Sequence, residues 1–282
     1  MSSATSLRAS AVPGLLLLPA VAFLALWFLA PLGRLFLLSL SDPRGPFATY
    51  AEILGSAVYL RVLLNTLVVA AIVTTATLLL AYPTAHLLTR LRGWLRAAAF
   101  WCVLVPFWIS VLVRTFSWIL LLEKNGPINS ALVALHLTAR PLELLFNDTA
   151  VYIGMIHVLL PYAILPIYAA LLRIDPRLLL ASDGLGASPA MTFLRVYLPL
   201  SLPGVGAAAA LVFLLSLGFF ITPALLGGIG NLTLSMLIET LVDERLIWPL
   251  AAAAAFILLG GTLALLLIGA RLLPMRQMMV AR

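Results

Sequence analysis

The sequence predicts an all-α integral membrane protein, and three observations carry that prediction. Of 282 residues, 63% are hydrophobic and only 10% charged, with a mean hydropathy of +1.15; a soluble domain carries roughly 25% charged residues. The apolar residues collect into runs long enough to cross a bilayer, which takes about 20 residues of helix. The breaks between runs hold most of the charge. A net charge of +7 would suit a nucleic-acid binder, but the basic residues are scattered between apolar runs and form no basic face, so nucleic acid is excluded as a partner. Cys102 is the single cysteine and rules out an internal disulfide.

Six runs qualify as spans, over residues 13–40, 64–88, 97–122, 150–172, 200–226 and 248–271, within one transmembrane domain of 1–282. The first is too long for a signal-peptide core and lacks a small-residue cleavage site, so it is retained as a span. The fifth is interrupted by Gly218, Pro223 and Gly227. Orientation follows from the basic residues. With the N-terminus inside, the inner segments hold Arg8, Arg90, Arg92, Arg96, Arg173, Arg177, Arg195, Arg271, Arg276 and Arg282. The outer loops hold Arg44, Arg61, Lys124, Arg140 and Arg245. The inner side carries twice as many, and by the positive-inside rule both termini are cytoplasmic.

The inner stretch between spans four and five, residues 173–199, is dense in helix punctuation. Asp175 followed by Pro176 is a cap-then-proline start, and the helix runs to Gly184 or Gly186, where glycine can take the left-handed conformation. Ser188 and Pro189 repeat the start. The second helix is expected to end before Pro199, because the residue preceding proline avoids helical angles. A helix–turn–helix at the cytoplasmic surface results. Its turn presents the small residues Ala181, Ser182, Gly186 and Ala187. It reads either as an interfacial anchor or as a knuckle that enters another protein's groove.

This hairpin resembles the EAA loop of permease subunits of binding-protein-dependent ABC importers, with the pattern E-A-A, three residues, G, nine residues, I-x-L-P. Ala181, Ser182, Gly186, the GASP of 186–189 and Leu198-Pro199 fall at matching places. Leu180 stands where the motif has glutamate, and Asp183, three residues on, is the available replacement. The segments FATYAEIL and VYLRVLLNTLVVA (47–70), VPFWISVLVRTFSWILLLEKNGPIN (105–129), HVLLPYAILPIY (157–168) and LGFFITPALLGG (217–228) resemble the first permease component of the spermidine/putrescine-type subfamily, which also serves opines and other amines. The resemblance implies the type I importer permease fold with six transmembrane helices. It implies a multi-pass protein of the bacterial inner membrane that forms half of a path for a polyamine or related amine. The implied partners are a second permease in a heterodimer, an ATPase dimer, a periplasmic binding protein and membrane lipid. Leu180, Ala181, Ser182, Asp183, Gly186, Ala187, Ser188 and Pro189 would couple to the ATPase. ATP and Mg would be used there, with no cofactor in this chain.

The residues independently place the energy source elsewhere. A P-loop needs a lysine after its glycines, and the only lysine, Lys124, lies in the outer loop LEKNG. His86, His136 and His157 stand apart from one another without metal-ligand spacing, and no catalytic set is present. An ion-gradient-driven secondary transporter is the alternative, but such carriers favour internal repeats and intramembrane acids, and neither is found. For the path or gate, the candidates are Arg114, Trp118, Pro161, Tyr162, Pro166, Phe220 and Pro223. Arg114 lies inside the third run, where a charge either faces the bundle interior or snorkels to the interface. Pro161, Pro166 and Pro223 are expected to bend their helices. Trp108, Trp118, Tyr162 and Phe220 offer aromatic faces to an amine, or belong to the interfacial belt as Trp94 and Trp248 do. The acids Glu123, Glu143, Asp148, Glu239, Asp243 and Glu244 fall in outer loops, where a cation or the binding protein would meet them.

Overall fold

The computed structural model describes residues 17–228 and 230–272, which are helix and connecting loop without strand. The predicted start of the first span, residues 13–16, and the basic residues Arg8, Arg276 and Arg282 lie outside the described residues. Five helices are long and apolar enough to cross a membrane, and a bent pair brings the number to six. By contacts the chain forms two units, Met1–Ser56 with Ile238–Ile257 and Ala57–Leu237 with Leu258–Arg282.

In the first unit, α1 covers Leu17–Ser39 and α2 covers Ala48–Gly55. The intervening loop is tied by polar side chains. Thr49 Oγ1 donates to the Ser39 carbonyl at 2.9 Å. The Ser39 hydroxyl donates to the Phe36 carbonyl, so at 2.7 Å it accepts from the Tyr50 phenol. Arg44 bridges Asp42 at 2.9 Å and Glu52 at 2.6 Å. The edges of Phe36 and Phe256 meet with centroids 5.2 Å apart.

The second unit is built on three helices that pack on one another: α3 (Ala57–Arg90), α7 (Asp148–Leu171) and α9 (Pro189–Leu217). Around them lie α4 (Gly93–Trp108), α5 (Val111–Leu122), α6 (Pro127–Ala134), α8 (Pro176–Gly184) and α10 (Ile221–Leu226). At about 1.5 Å per residue, the 34-residue α3 outreaches a hydrocarbon core of about 30 Å. The central helix α7 buries Ala150, Val151, Gly154, Met155, Val158, Leu159, Ala163, Ile164 and Ile167. Two of these are alanines and one is glycine, which lets neighbouring backbones approach where lipid offers no hydrophobic drive. The 6-residue α11 (Leu234–Glu239) begins in the second unit, and α12 (Trp248–Leu272) ends there. Buried hydrogen bonds fix the loop after α10. Asn65 Nδ2 donates to the Leu232 carbonyl at 3.0 Å, and the Leu234 N–H donates to Thr66 Oγ1 at 2.8 Å.

Three helix boundaries depart from expectation. The third span is not one helix over 97–122: α4 and the segment from α5 to Ala134 are bent by 102°. Pro106 removes a hydrogen bond two residues before the end of α4, and Ile109 and Ser110 then extend at ψ 135 and 138. The second helix of the hairpin does not stop before Pro199. It runs on into the fifth span as α9, through a π-type turn at Phe193–Tyr197. A like turn, Ala25–Leu29, precedes Pro31, so two π-type turns each end two residues before a proline. The wider turn carries the carbonyl that would clash with the proline ring out of its way. Finally, Pro161 and Pro166 lie within an uninterrupted α7. The fifth span, expected over 200–226 with interruptions at Gly218, Pro223 and Gly227, ends as a continuous helix at Leu217 and breaks at Gly218–Phe220, while Pro223 sits in the first turn of α10 where its missing N–H costs nothing.

Candidate docking and translocation sites

The hairpin folds from its caps. Asp175 accepts from the Arg177 N–H at 2.9 Å, and Ser188 from the Met191 N–H at 3.3 Å. Helix α8 closes with the Gly186 N–H on the Asp183 carbonyl at 2.9 Å and the Ala187 N–H on the Ser182 carbonyl at 3.2 Å. That closure requires a left-handed residue, and Gly186 has φ +79. Around the turn Ala181, Asp183, Ser188 and Pro189 are exposed and Ala187 half-buried. Leu180 is 68% and Leu185 89% exposed. The position of the motif glutamate therefore presents an apolar side chain to the surroundings.

Ser182, which replaces the motif's second alanine, turns inward and shares a 2.9 Å hydrogen bond with Thr192 on the opposite helix. Nothing in the spacing of the two residues foretells it. Immediately behind the hairpin, His86 Nδ1 lies 2.9 Å from Tyr197 Oη. The Ser201 hydroxyl donates to the Leu198 carbonyl, so the Tyr82 phenol donates to Ser201 at 2.9 Å. Phe193 meets Tyr82 edge-on at 6.1 Å and stacks with Tyr197 at 5.9 Å. An aromatic and hydrogen-bonded clamp thus joins the first turns of α9 to α3.

The second group lies level with the middle of α7, where the broken helices α5 and α10 both pack against it. Thr115 Oγ1 donates to the Val111 carbonyl at 2.9 Å, so the Thr222 hydroxyl donates to it at 3.1 Å. One turn on, Trp118 Nε1–H donates to His157 Nδ1 at 3.1 Å. That bond leaves Nδ1 without a proton and assigns a neutral ring's hydrogen to Nε2. Tyr162 packs on Phe107 with centroids 5.3 Å apart. Arg114 is buried, at 6% exposure; it does not snorkel. The sequence candidates Arg114, Trp118 and Tyr162 are therefore brought into one neighbourhood, with His157, Thr115 and Thr222 added. Phe220 sits half-buried in the break and Pro223 buried beyond it, while Pro161 is buried and Pro166 half-buried within α7. Trp108 is 80% exposed and belongs to no cluster beyond its contact with Phe107.

Of the acids, Glu123 and Glu143 line one recess together with Lys124. Asp148 opens α7 behind the Asn147 cap. Glu239, Asp243 and Glu244 belong to the end of α11 and the π-type turn that follows it. In the loop after α1, the Arg44 guanidinium and backbone N–H hold the Asp42 carboxyl down to about 2, and Asp42 with Glu52 raises Arg44.

Comparison with known proteins shows the family. A family model described as binding-protein-dependent transport system inner membrane component matches residues 75–272. The spermidine/putrescine transport system permease protein PotB of Salmonella typhimurium is 35% identical over 209 residues, 74% of this chain and 72% of its own. That of Escherichia coli is 36% identical over 200 residues, 71% and 73% of the two chains. The crystal structure of a bacterial alginate ABC transporter, in complex with alginate pentasaccharide-bound periplasmic protein, superposes with a TM-score of 0.74 over 95% of this chain and 96% of that one, at 18% identity, which is a likeness of fold. The chain belongs to the family of binding-protein-dependent transport system inner membrane components and is a multi-pass permease subunit of an ABC importer.

Proposed function

We propose that this permease carries a small amine-containing solute, a polyamine such as spermidine or putrescine or a related amine compound, delivered by a periplasmic binding protein, and forms half of its path beside a second, different permease. The relatives named for spermidine and putrescine, aligned over more than two thirds of the chain, support the solute class. Both termini are cytoplasmic, which the two-to-one bias of basic residues supports. The hairpin of residues 176–199 docks on an ATPase dimer, which binds and hydrolyses ATP with Mg. One observation carries the docking: a capped, hydrogen-bonded turn presents Leu180 and Leu185 as exposed apolar side chains beside Ala181 and Gly186. An apolar knuckle exposed outside the hydrocarbon gains free energy when a protein groove covers it.

The test is purification of a tagged copy from its own membranes in mild detergent, followed by reconstitution with the recovered partners and binding protein. A P-loop ATPase and a second permease are expected to co-purify, and labelled putrescine or spermidine uptake is expected to require ATP. Recovery of the chain alone, with uptake driven by an ion gradient, would overturn the reading.

A further inference from the structure

Arg114 is the only charged side chain among the described residues that is buried. Its Nε and Nη1 are shut from solvent and have no hydrogen-bond partner. The salt bridges among the described residues are those of Arg44, in a loop of the other unit. A guanidinium is always protonated, and an unpaired charge taken out of water is costly unless an anion meets it.

The backbone beside it has the same requirement. The first helical hydrogen bond of α5 runs from the Arg114 N–H to the Ser110 carbonyl at 3.1 Å. The N–H groups of Val111, Leu112 and Val113 therefore precede it, and the Ser110 side chain caps none of them. A helical side chain leans toward its own N-terminus, which aims Arg114 at the break. The titratable groups close enough to feel its charge are His157 and Tyr162, and Tyr162 rests on Phe107 in the last turn of α4. Neither supplies an anion, since an imidazole is neutral or cationic and a phenol is a hydroxyl, and the lone pair of His157 Nδ1 is already engaged by Trp118. The outer face of α5, with Leu112, Val113, Phe116 and Leu120 exposed, points away. Guanidinium and helix N-terminus thus belong to the same end of α5.

We propose that the break between α4 and α5 is a carboxylate site, in which Arg114 and the amino end of α5 hold a single carboxylate. The fork of Arg114 matches a carboxylate's two oxygens, and the partial positive charge of the helix end adds to it. The occupant comes from one of two sources: the transported solute, which would then carry a carboxylate besides its amine, or an acidic side chain of the second permease. The proposal deepens the importer reading and rests on it for these sources.

The test compares wild type, Arg114→Gln and Arg114→Lys, each purified in nanodiscs with whatever subunits accompany it. Thermal midpoints are read with sodium glutamate and sodium succinate as probes, and with sodium chloride and putrescine dihydrochloride as controls. If the solute supplies the carboxylate, glutamate or succinate raises the midpoint of wild type, the controls do not, and Arg114→Gln abolishes the shift. If the second permease supplies it, the probes leave wild type unmoved, Arg114→Gln loses that subunit on size exclusion, and Arg114→Lys, which keeps the charge but not the fork, holds it more weakly than wild type. If wild type itself ignores all probes and Arg114→Gln matches it in subunits and midpoint, the site is overturned. Should the Gln variant not accumulate, Lys carries the test: it keeps the charge but not the fork, so a several-fold weaker probe response or weakened subunit retention supports the site and wild-type behaviour overturns it. Failure of the importer reading is separately visible as wild type purifying without an ATPase.

Discussion

Gly154 lies where α10 is laid against α7, and replacing it by alanine tests whether that contact is as close as the structure shows. A Cβ at Gly154 would stand 2.5 Å from Leu226 Cδ1 and 2.6 Å from Thr222 Cγ2, well inside van der Waals contact. Two opposed effects set the outcome. In mid-helix, Gly→Ala stabilises by about 1 kcal/mol, while forcing a methyl into a filled core costs about 1–3 kcal/mol. The net expectation is a loss of about 1 kcal/mol, and at about 2–4 °C per kcal/mol for a domain of this size, a midpoint lowered by a few degrees. Moving Thr222 outward also strains its 3.1 Å bond to Thr115. Differential scanning fluorimetry of the purified importer reads the midpoint. The control is Leu226→Ala, which on its own empties a fully buried site and costs about 2–5 kcal/mol. Combined with Gly154→Ala it removes one of the two atoms that the new methyl meets, leaving Thr222 Cγ2, so the double variant should be more stable than the sum of the singles by about 0.5–3 kcal/mol. A Gly154→Ala protein more stable than wild type, with additive behaviour in the double variant, would refute the packing argument.

Thr66→Val removes the oxygen that accepts from the Leu234 N–H and leaves that buried donor unpaired. A loss of about 1–3 kcal/mol is expected, with amide exchange at Leu234 faster than in wild type. Asp42, held at about 2 by Arg44, contributes stability that is present above its ordinary value of 3.8 and is lost as pH falls through about 2; Arg44→Ala should return its titration, followed by carboxyl-carbon NMR, toward 3.8. Gly186→Ala places a side chain at φ +79, where an L-residue pays about 1–2 kcal/mol. Its uptake of labelled polyamine should fall while membrane levels stay near wild type, and undiminished uptake would count against docking through this turn.

The sequence foretold those features of the fold that depend on local chemistry. The two hairpin caps and the left-handed glycine were legible because Asp175, Ser188 and Gly186 act on neighbours a few residues away. Apolar runs likewise located the spans. The break in the third span was not read, because Pro106 lies inside an apolar run and proline is tolerated within other helices of the same chain: Pro83, Pro161, Pro166 and Pro203 interrupt nothing. Whether a proline bends or breaks a helix depends on which neighbours satisfy the freed carbonyl, and that is tertiary information. The π-type turns before Pro31 and Pro199 were missed for a related reason, since the proline signals a helix end only where no wider turn precedes it. At the cluster level with the middle of α7, Arg114, Trp118 and Tyr162 stood out by residue type. Thr115, His157 and Thr222 did not, because their roles come from pairings across 39 to 107 residues.

The continuity of hairpin and span has a mechanical consequence. Because α9 starts at Pro189, the second half of the hairpin is the first turns of a spanning helix, with no loop to absorb displacement. A push on the turn must travel along α9, and the clamp of Tyr82, His86, Phe193, Tyr197 and Ser201 is where it reaches α3. Replacing Tyr82 and Tyr197 together by phenylalanine keeps both rings but deletes the 2.9 Å bonds to Ser201 and His86. Each such bond is worth about 0.6 kcal/mol within a membrane, too little to unfold the chain and enough to loosen one helix relative to another. In reconstituted vesicles the double variant should keep its ATPase subunit and its hydrolysis rate, while solute moved per ATP falls. An unchanged ratio would show that α9 moves α3 through apolar packing alone, and loss of the ATPase would show that the clamp shapes the docking surface itself.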